Sequence, residues 1–382
     1  VKTVKSPKSR YLAFKTGGDL WCYDQTDNEL VRIFTFDSSK DDGIRSRYDR
    51  HDVKILSVQE DGTVDFLVYG YMNRGKYEGH MGVIYYSYDA EKDTVNEKFY
   101  LAASESFEKI REDISTLSYL SQNSMMYLML EGSVYGIDLK SNEFLVVAQG
   151  LTKGSFAVSG DGSRIAWQDG ASLYESEKVH VMDFNTAQKQ EITGSEGDYV
   201  RVLGFVGNDL IYGFSNSGDK WIVNGRMKGM PMYAMYIVDN EMQVESEYRK
   251  DGIYISDVVA EDGRIHLKRL VRISENQYMY QDQDTIVCNQ KVDDGELKGI
   301  GYFASQDRGR VYYVQTDSDL NGDKVNISAP RAFSYEFAST LDISFAATAQ
   351  ADTGMVFHAY GGGHYLGCSR SFGTAVDRKS VV

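Results

Sequence analysis

The feature that most constrains this chain of 382 residues is an internal repeat. A polar turn that leads into an apolar strand ending in Ala-aromatic occurs at Ser6–Phe14 and again, without a gap, at Ser159–Trp167. Five looser copies have turns centred near residues 61, 123, 208, 262 and 308. The mean spacing of the seven turn centres is about 50 residues. A repeat of this length indicates a fold built from copies of one supersecondary unit.

Each copy continues into further strands. Gly82–Tyr88 and Glu97–Leu101 follow the second turn, whereas Lys178–Phe184 and Gln190–Ile192 follow the fourth. Asp-Gly and Gly-Asn pairs between such runs are hairpin turns, because they tolerate the positive φ that strand twist requires. A short helical pattern is found only at Ser106–Ile114. Four strands in each of seven units predict an all-β fold, a β-propeller of seven four-stranded blades, with eight blades as the alternative.

The extent of the propeller is predicted from the same pattern. Residues 1–337 are assigned to the β-propeller, and residues 338–382 are expected to supply ring-closing strands, an eighth blade or the start of a following domain. Leu341–Ala346 and Met355–Tyr360 are the candidate strands there. A pair of β-sandwiches would also contain strands and turns, but it would not produce the recurring Ala-aromatic signature.

Composition limits the possible partners. The 56 acidic residues exceed the 41 Lys and Arg residues and give a net charge of −15, which repels nucleic-acid phosphates and anionic lipid. Cys22, Cys288 and Cys368 lie far apart without a C-x-x-C pair, so no disulfide framework is indicated. No apolar run reaches the roughly 18 residues of a membrane span. We therefore expect a monomer that binds no nucleic acid and has no membrane span in this chain.

Two segments carry a family resemblance. SGDGSRIAW at Ser159–Trp167, and SPKSRYLAF at Ser6–Phe14 with DLWCYD at Asp19–Asp24, resemble the S-P-D-G-x-x-I-A-F … L-W-x-x-D repeat of TolB-type, WD-repeat-like β-propeller proteins. The resemblance extends over residues 6–316 and concerns the fold only. It implies a group that includes periplasmic and cell-surface scaffolds, protein-docking modules and the gating propellers of some serine peptidases. The chain lacks the peptidase G-x-S-x-G elbow, because Gly367–Ser371 misses its second glycine.

The resemblance and the two termini lead to a functional expectation. The chain starts at Val1 and stops at Val382 as if it were excised from a longer polypeptide. We expect a non-catalytic binding or scaffolding module of an exported bacterial protein, an anchored cell-surface or periplasmic protein such as a lipoprotein, with a protein or glycan ligand. The alternative is a glycan- or peptide-processing enzyme, or the substrate-gating propeller of a hydrolase whose catalytic domain lies outside this chain.

The loop from Tyr71 to Gly82 is the polar insertion richest in side chains suited to recognition. Functional groups on propellers lie on such loops, where a rigid scaffold holds them. Arg74 would bind a carboxylate or sugar hydroxyls, and Tyr71 and Tyr77 would supply stacking surfaces. In the alternative, the loop is solvated and Arg74 pairs with Glu78. The candidate ligand-binding residues are Tyr71, Asn73, Arg74, Tyr77, Glu78 and His80.

A second candidate site is a calcium loop. Asp317–Asp323 matches the opening D-x-[DN]-x-[DN]-G of such loops, in which oxygens at alternate positions converge on the ion. Asp317, Asp319 and Asn321 would supply side-chain oxygens, and Asp323 its backbone carbonyl. Position 12 is Ser328 instead of the usual Glu, so an ordinary hairpin loop is the alternative.

The histidines give no metal motif. No two of the six form an H-x-H or H-x-x-x-H pair. His180 alternates with Val179 and Val181 in a predicted strand, and we interpret it as a structural residue. We therefore assign no catalytic residue from the sequence.

Overall fold

The chain divides into two units. Unit 1 comprises Val1–Ser115, Ile137–Phe144 and Gly295–Val382, and unit 2 comprises Thr116–Gly136 and Leu145–Asp294. Both are observed in a computed structural model. It describes residues 3–16, 18–36, 50–72, 75–169, 172–261, 263–288, 300–307, 309–314, 324–335, 338–341, 343, 357–361 and 364–369.

Unit 1 begins with two four-stranded antiparallel sheets, each formed in chain order. Alternating apolar residues place one face of each sheet in a shared core, in which Phe34 contacts Phe66 and Tyr86 at ring-centroid distances of 5.8 and 5.7 Å. Gly75–Tyr77 form a 3-10 turn between the second and third strands of the second sheet. The strands are β1 Thr3–Lys5, β2 Tyr11–Thr16, β3 Asp19–Asp24, β4 Glu29–Phe34, β5 His51–Val58, β6 Val64–Tyr71, β7 Met81–Asp89 and β8 Thr94–Ala102.

Helix α1, Phe107–Thr116, follows β8 and confirms the helical pattern in the sequence. Ser106 caps it, because its side-chain oxygen accepts from the backbone N–H of Lys109 at 3.4 Å. Ile110 and Ile114 are buried on one face, as the i, i+4 spacing requires. In the part of the chain that the structure describes, no helix is long and apolar enough to cross a membrane.

Unit 2 contains most of the third sheet and all of the next three, each with four antiparallel strands, together with a two-stranded hairpin. In three of these sheets the four strands are hydrogen-bonded in chain order. The hairpin of β19 and β20 is inserted between the second and third strands of the fifth sheet. The strands are β9 Ser118–Leu120, β10 Met125–Leu130, β11 Ser133–Asp138, β12 Phe144–Ala148, β13 Phe156–Val158, β14 Arg164–Gln168, β15 Lys178–Asp183, β16 Lys189–Thr193, β17 Asp198–Val206, β18 Asp209–Asn216, β19 Trp221–Val223, β20 Arg226–Gly229, β21 Ala234–Val238, β22 Val244–Tyr248, β23 Ile253–Glu261, β24 Arg264–Ser274, β25 Gln277–Tyr280 and β26 Asp284–Val287.

The turn before β14 shows why the SGDGS segment recurs. The Asp161 carboxylate accepts hydrogen bonds from the Ser159 hydroxyl at 2.8 Å and from the Ser163 N–H at 2.9 Å, while Gly162 supplies the positive φ of 77°. Burial alone would raise the pKa of Asp161, but these hydrogen bonds lower it below its ordinary value. The turn therefore sets the register of β14, whose Trp167 and Ala166 are buried in two different clusters on opposite faces.

The chain returns to unit 1 after β26. β29 pairs in parallel with β4, and β30 and β31 pair in parallel with β8. We name these three strands the covering segment. The segment extends sheets that already exist, and the boundary at residue 337 stays a prediction. The strands of this part are β27 Ile300–Ser305, β28 Gly309–Val314, β29 Asn326–Ser328, β30 Ala332–Ser334, β31 Ser339–Leu341, β32 Phe357–Gly361 and β33 His364–Ser369.

The all-β prediction is confirmed in its general form, since the described chain consists mainly of small antiparallel sheets. The first four sheets use consecutive strands, as the repeat predicts. Of the seventh predicted unit, the structure describes the hairpin of β27 and β28. The number of blades therefore stays a prediction.

Candidate functional site

The predicted ligand-binding loop is only partly described. Asn73 and Arg74 lie outside the described residues. Tyr77 is 7% exposed, its ring stacks on Tyr100 at 3.9 Å, and its hydroxyl lies 2.7 Å from the Thr340 hydroxyl. Because both its ring and its hydroxyl are engaged inside unit 1, Tyr77 does not present the open stacking surface that the sequence suggested. The ligand-binding role of the loop stays a prediction.

The remaining candidates of this loop lie near the surface. Tyr71 ends β6 and is half-buried, whereas Glu78 and His80 are exposed. The His80 ring nitrogen Nδ1 lies 3.1 Å from the Glu78 carbonyl, and the Met72 N–H donates to the His80 carbonyl at 2.9 Å. These local bonds hold the ends of the loop together.

The candidate calcium ligands Asp317, Asp319, Asn321 and Asp323 lie outside the described residues. Within the described ranges, no group of three or more His, Cys, Asp or Glu side chains is arranged to hold a metal ion. The calcium hypothesis therefore stays a prediction from the sequence.

A cleft of about 660 Å³ in unit 2 is the site that the structure adds. Strand β12 and the residues after it form one wall, and strands β14, β15 and β16 form the other. We name it the β12 cleft. Its lining residues are Val146, Val147, Ala148, Gln149, Gly150, Trp167, Gln168, Asp169, His180, Lys189 and Glu191.

His180 lies at the centre of the second wall, between two carboxylates. Its Nε2 is 2.7 Å from Asp169 Oδ2, and its Nδ1 is 3.4 Å from Glu191 Oε1. The arrangement follows from strand register, since His180 faces Glu191 across the β15–β16 ladder and Asp169 directly follows β14. The two carboxylates bind opposite edges of one ring, so the three groups do not converge on a single cation.

The floor beneath His180 is aromatic. The Trp167 and His180 rings stack at 5.2 Å, and the Lys189 ammonium lies 5.8 Å from the Trp167 ring centroid. Lys178 pairs with Glu191 at 3.0 Å. Trp167 is 7% exposed and cannot itself stack on a ligand, so its role is to fix the ionisable groups above it.

The chemistry of the cleft suits binding. The side chains of Asp169 and Glu191 are 55% and 50% exposed, so both carboxylates keep room to accept hydrogen bonds from a ligand. None of the residues that line the cleft in the described chain carries a hydroxyl or thiol nucleophile.

The sequence interpretation of His180 as an isolated structural residue is incomplete. Asp169 precedes it by 11 residues, and Glu191 follows it at the same distance in the chain. Two successive hairpins bring both carboxylates to the histidine, Glu191 as its cross-strand partner and Asp169 from the position after β14. The sequence could indicate only the first of these contacts, because the length of the loop between β14 and β15 does not fix the hairpin register.

No family model matches the chain, and no curated protein matches it. The solved structures similar to it include TolB from Acinetobacter baumannii, with 16% identity, 65% of this chain and 56% of that chain covered, and a TM-score of 0.28. They also include the WD40 domain of SCAP from fission yeast (12% identity, 82% of both chains, TM-score 0.32) and Porphyromonas gingivalis dipeptidyl peptidase 4 (9% identity, 73% of this chain and 52% of that chain, TM-score 0.29). These neighbours include the TolB-type and WD-repeat groups that the sequence motif resembles.

Proposed function

We propose that this chain is a non-catalytic binding or scaffolding module, a β-propeller of seven four-stranded blades, with eight as the alternative. The proposal for the fold is supported by the successive four-stranded sheets, in which the repeated polar turn connects the first strand to the second. A propeller supplies a rigid frame, and its ligands bind at loops and clefts between elements. The blade number is a proposal that a structure of the closed ring would test.

The observation that carries the binding function is the β12 cleft. It combines a buried aromatic floor with exposed carboxylates that contacts with His180 and Lys178 hold in place, which is the organisation of a preformed recognition site. The competing proposal, a glycan- or peptide-processing enzyme, requires a nucleophile or an acid–base pair that acts on a substrate. The half-exposed carboxylates of Asp169 and Glu191, which keep room to accept hydrogen bonds from a ligand, support the binding proposal.

We further propose that the module is exported and works at the cell surface or in the periplasm, as part of a longer anchored protein such as a lipoprotein. The TolB-like sequence motif supports this location, and the net charge of −15 is compatible with it. Its ligand is a protein or a glycan. The loop at Tyr71–His80 is proposed as a second recognition surface, in which Arg74→Ala should weaken binding without changing stability by more than about 0.5 kcal/mol.

A binding screen tests the function of the cleft. Cell-wall glycans and peptides would be titrated against the wild-type protein and against the double variant Asp169→Asn with Glu191→Gln, which keeps the shapes of both side chains. The variant should lower the affinity of a cleft ligand about 10-fold or more, because it removes the charged acceptors.

The matched control changes two exposed carboxylates of unit 2 that do not line the cleft, Glu196→Gln with Glu275→Gln. This control has the same net charge as the cleft variant and should bind like the wild-type protein. Equal losses in both variants would mean that the effect is one of net charge. Turnover of a bound glycan or peptide by the wild-type protein would favour the enzyme alternative.

A further inference from the structure

The hairpin of β19 and β20 in unit 2 has an exposed tip. It forms a two-stranded sheet of its own, inserted between two strands of the fifth sheet. All seven residues of Ile222–Lys228 are exposed, whereas Trp221 and Gly229 on either side of them are buried. Asn224 and Gly225 form the turn with positive φ values of 52° and 74°, as a two-residue hairpin turn requires. Packing within the chain therefore does not explain which side chains the tip carries.

The base of the hairpin is fixed to its neighbours in unit 2. The Trp221 ring contacts the Tyr280 ring edge-on at 5.3 Å and belongs to a small buried cluster. The backbone N–H of Ile222 donates to the carbonyl of Asn276, in the turn between β24 and β25, at 2.9 Å. Because these contacts hold the base in place, little conformational entropy is lost when the tip binds a partner.

Exposed apolar side chains lie on both faces of the tip. Ile222 pairs with Met227 across the hairpin. The next pair, Val223 with Arg226, points to the opposite face, because side chains alternate along a strand. Ile222, Val223 and Met227 are 38%, 40% and 41% exposed. A protein that docks on one face would leave apolar side chains of the other face in water, whereas a lipid interface surrounds the tip and accepts both.

The hairpin is also basic, although the whole chain has a net charge of −15. No Asp or Glu lies between Lys220 and Lys228, and Arg226 adds a third cation. The acidic residue just before them, Asp219, pairs with Arg272 at 3.3 Å. Charges in water interact over only about 8 Å at physiological salt, so the local charge governs what the tip attracts. The repulsion of anionic lipid that the composition predicts is therefore reversed at this hairpin.

We infer that the β19–β20 hairpin docks on a membrane surface that carries anionic lipid headgroups. Ile222, Val223 and Met227 enter the boundary between headgroups and acyl chains, while Arg226 and Lys228 stay at the level of the lipid phosphates. Each Lys or Arg near such a surface strengthens binding about 5-fold, so the contact is reversible and depends on salt. This surface is separate from the β12 cleft, and its binding is independent of the ligand of that cleft.

Vesicle binding by the full chain tests the inference. The probes are vesicles of equal parts phosphatidylglycerol and phosphatidylcholine, and vesicles of phosphatidylcholine alone. Flotation measures the bound fraction, and hydrogen exchange at the amides of Val223–Met227 locates the contact. The anionic vesicles should bind about 10-fold more tightly at low salt and should slow exchange at the tip. Most of this preference should be lost at high salt, because screening weakens the attraction between the cations and the headgroups.

Two variants of the tip have matched controls at the end of β23 and β24 remote from the hairpin. Arg226→Gln should weaken binding to the anionic vesicles about 5-fold, whereas Arg264→Gln, at a second exposed arginine, should not. Val223→Ser should weaken binding about 3-fold, whereas Val259→Ser, at a valine that is 42% exposed, should not. All four side chains are exposed, so each variant should keep the melting temperature of the wild-type protein.

Four outcomes would overturn the inference. The first is equal binding to both kinds of vesicle, or binding to neither. The second is an equal loss of binding in a tip variant and its control. The third is self-association that Val223→Ser abolishes, which would make a second copy of this chain the occupant. The fourth is protection of the tip amides by the acidic peptide Ac-Glu-Leu-Glu-Leu-Glu-NH2 and not by vesicles, which would make the occupant a protein.

Discussion

The two units connect neighbouring sheets in different ways. In unit 1 the covering segment pairs first with β4 and then with β8, so backbone hydrogen bonds of one stretch of chain reach two sheets. In unit 2 the sheet of β13–β16 and the sheet of β17, β18, β21 and β22 share an apolar cluster, and the side chain of Arg164, a residue with 2% exposure, also bonds from one sheet to the other.

This difference determines how each unit should respond to substitution. Backbone pairing is spread over many residues and depends little on any one side chain. Arg164, in contrast, donates to the Asn208 carbonyl at 3.0 Å and to the Asn240 side-chain oxygen at 2.9 Å, among several carboxylates. Burial lowers the pKa of Arg164, a sign that its charge is costly to hold there. Unit 2 should therefore be sensitive at a single position, and unit 1 should not.

The largest expected effect is that of Arg164→Met. Methionine fills similar space but leaves the Asn208 carbonyl and the nearby Asp209 carboxylate without their donor and counter-charge. Removing one partner from a buried charged network costs about 3 kcal/mol or more in the free energy of unfolding. Denaturant titration followed by tryptophan fluorescence measures it, and Trp167, one of the three tryptophans of the chain, lies in the same sheet as Arg164.

Arg164→Lys is the matched control for this prediction. It keeps the positive charge but loses the fork of donors, so it should fall between the wild-type protein and Arg164→Met. A loss below about 1 kcal/mol for Arg164→Met would mean that the two sheets of unit 2 do not depend on this side chain.

The second prediction concerns pH and Asp209, which begins β18. Burial first, and then the neighbouring Glu245 carboxylate, raise the pKa of Asp209 from 3.8 to about 6. The folded state thus binds a proton that the unfolded state has lost between pH 4 and 6. Stability should fall by about 2 kcal/mol as the pH rises through that range, and stay reduced above it. Asp209→Asn should remove most of this slope in denaturant titrations.

Asp284 provides a control of opposite sign. Hydrogen bonds from Lys250 and Tyr248 lower its pKa from 3.8 to about 2. Its contribution is therefore present above pH 4 and is lost as the pH falls towards 2. Asp284→Asn should leave the slope between pH 4 and 6 unchanged. If both variants removed that slope, Asp209 would not be its source.

The third prediction tests the tolerance of unit 1. Phe333 in the covering segment is 38% exposed, and its ring contacts Phe34 and Tyr86 edge-on at 6.3 and 6.5 Å. Phe333→Ala should cost about 1 to 2 kcal/mol, less than a fully buried aromatic residue. Ile327→Ala, at a position 66% exposed in β29, should stay within about 0.5 kcal/mol. A loss above about 3 kcal/mol in the free energy of unfolding for Phe333→Ala would mean that unit 1 is as sensitive to a single substitution as unit 2.

Local structure was predictable from the sequence wherever neighbours in the chain determine it. The strand predicted at Lys178–Phe184 spans Lys178–Asp183 in the structure, and α1 overlaps the predicted helical segment. Trp167 and Ala166 lie on opposite faces because the turn at Asp161 fixes the register within a few residues. These features depend on hairpin and capping chemistry that short patterns contain.

The connections between sheets were not predictable in this way. The Asn28 side chain donates to the Lys324 carbonyl across 296 positions of the chain, and no periodic pattern marks such a pair. Arg164 lies between the polar turn and the apolar strand of the repeat motif, and the sequence does not indicate that its side chain is buried against the next sheet. The β12 cleft was missed for the same reason, since its two walls come from different sheets.

The smallest expected effect is that of calcium binding, at a stretch that precedes the covering segment in the chain. The candidate ligands Asp317, Asp319 and Asn321 precede β29 in the chain. An ion bound there would stabilise the folded state by mass action, by about 1 kcal/mol when calcium is five-fold above its dissociation constant. Thermal melts in chelator and in millimolar calcium measure the effect.

The variants and the location of the effect decide between a calcium site and a turn. Asp319→Ala should remove the calcium-dependent rise in melting temperature, whereas Asp307→Ala, in the turn between β27 and β28, should keep it. Because the loop leads directly into β29, calcium should slow hydrogen exchange at Ile327 in unit 1 and leave the amides around Arg164 in unit 2 unchanged. A melting temperature that is the same in chelator and calcium would identify Asp317–Asp323 as a hairpin loop, whose acidic side chains bond their own backbone.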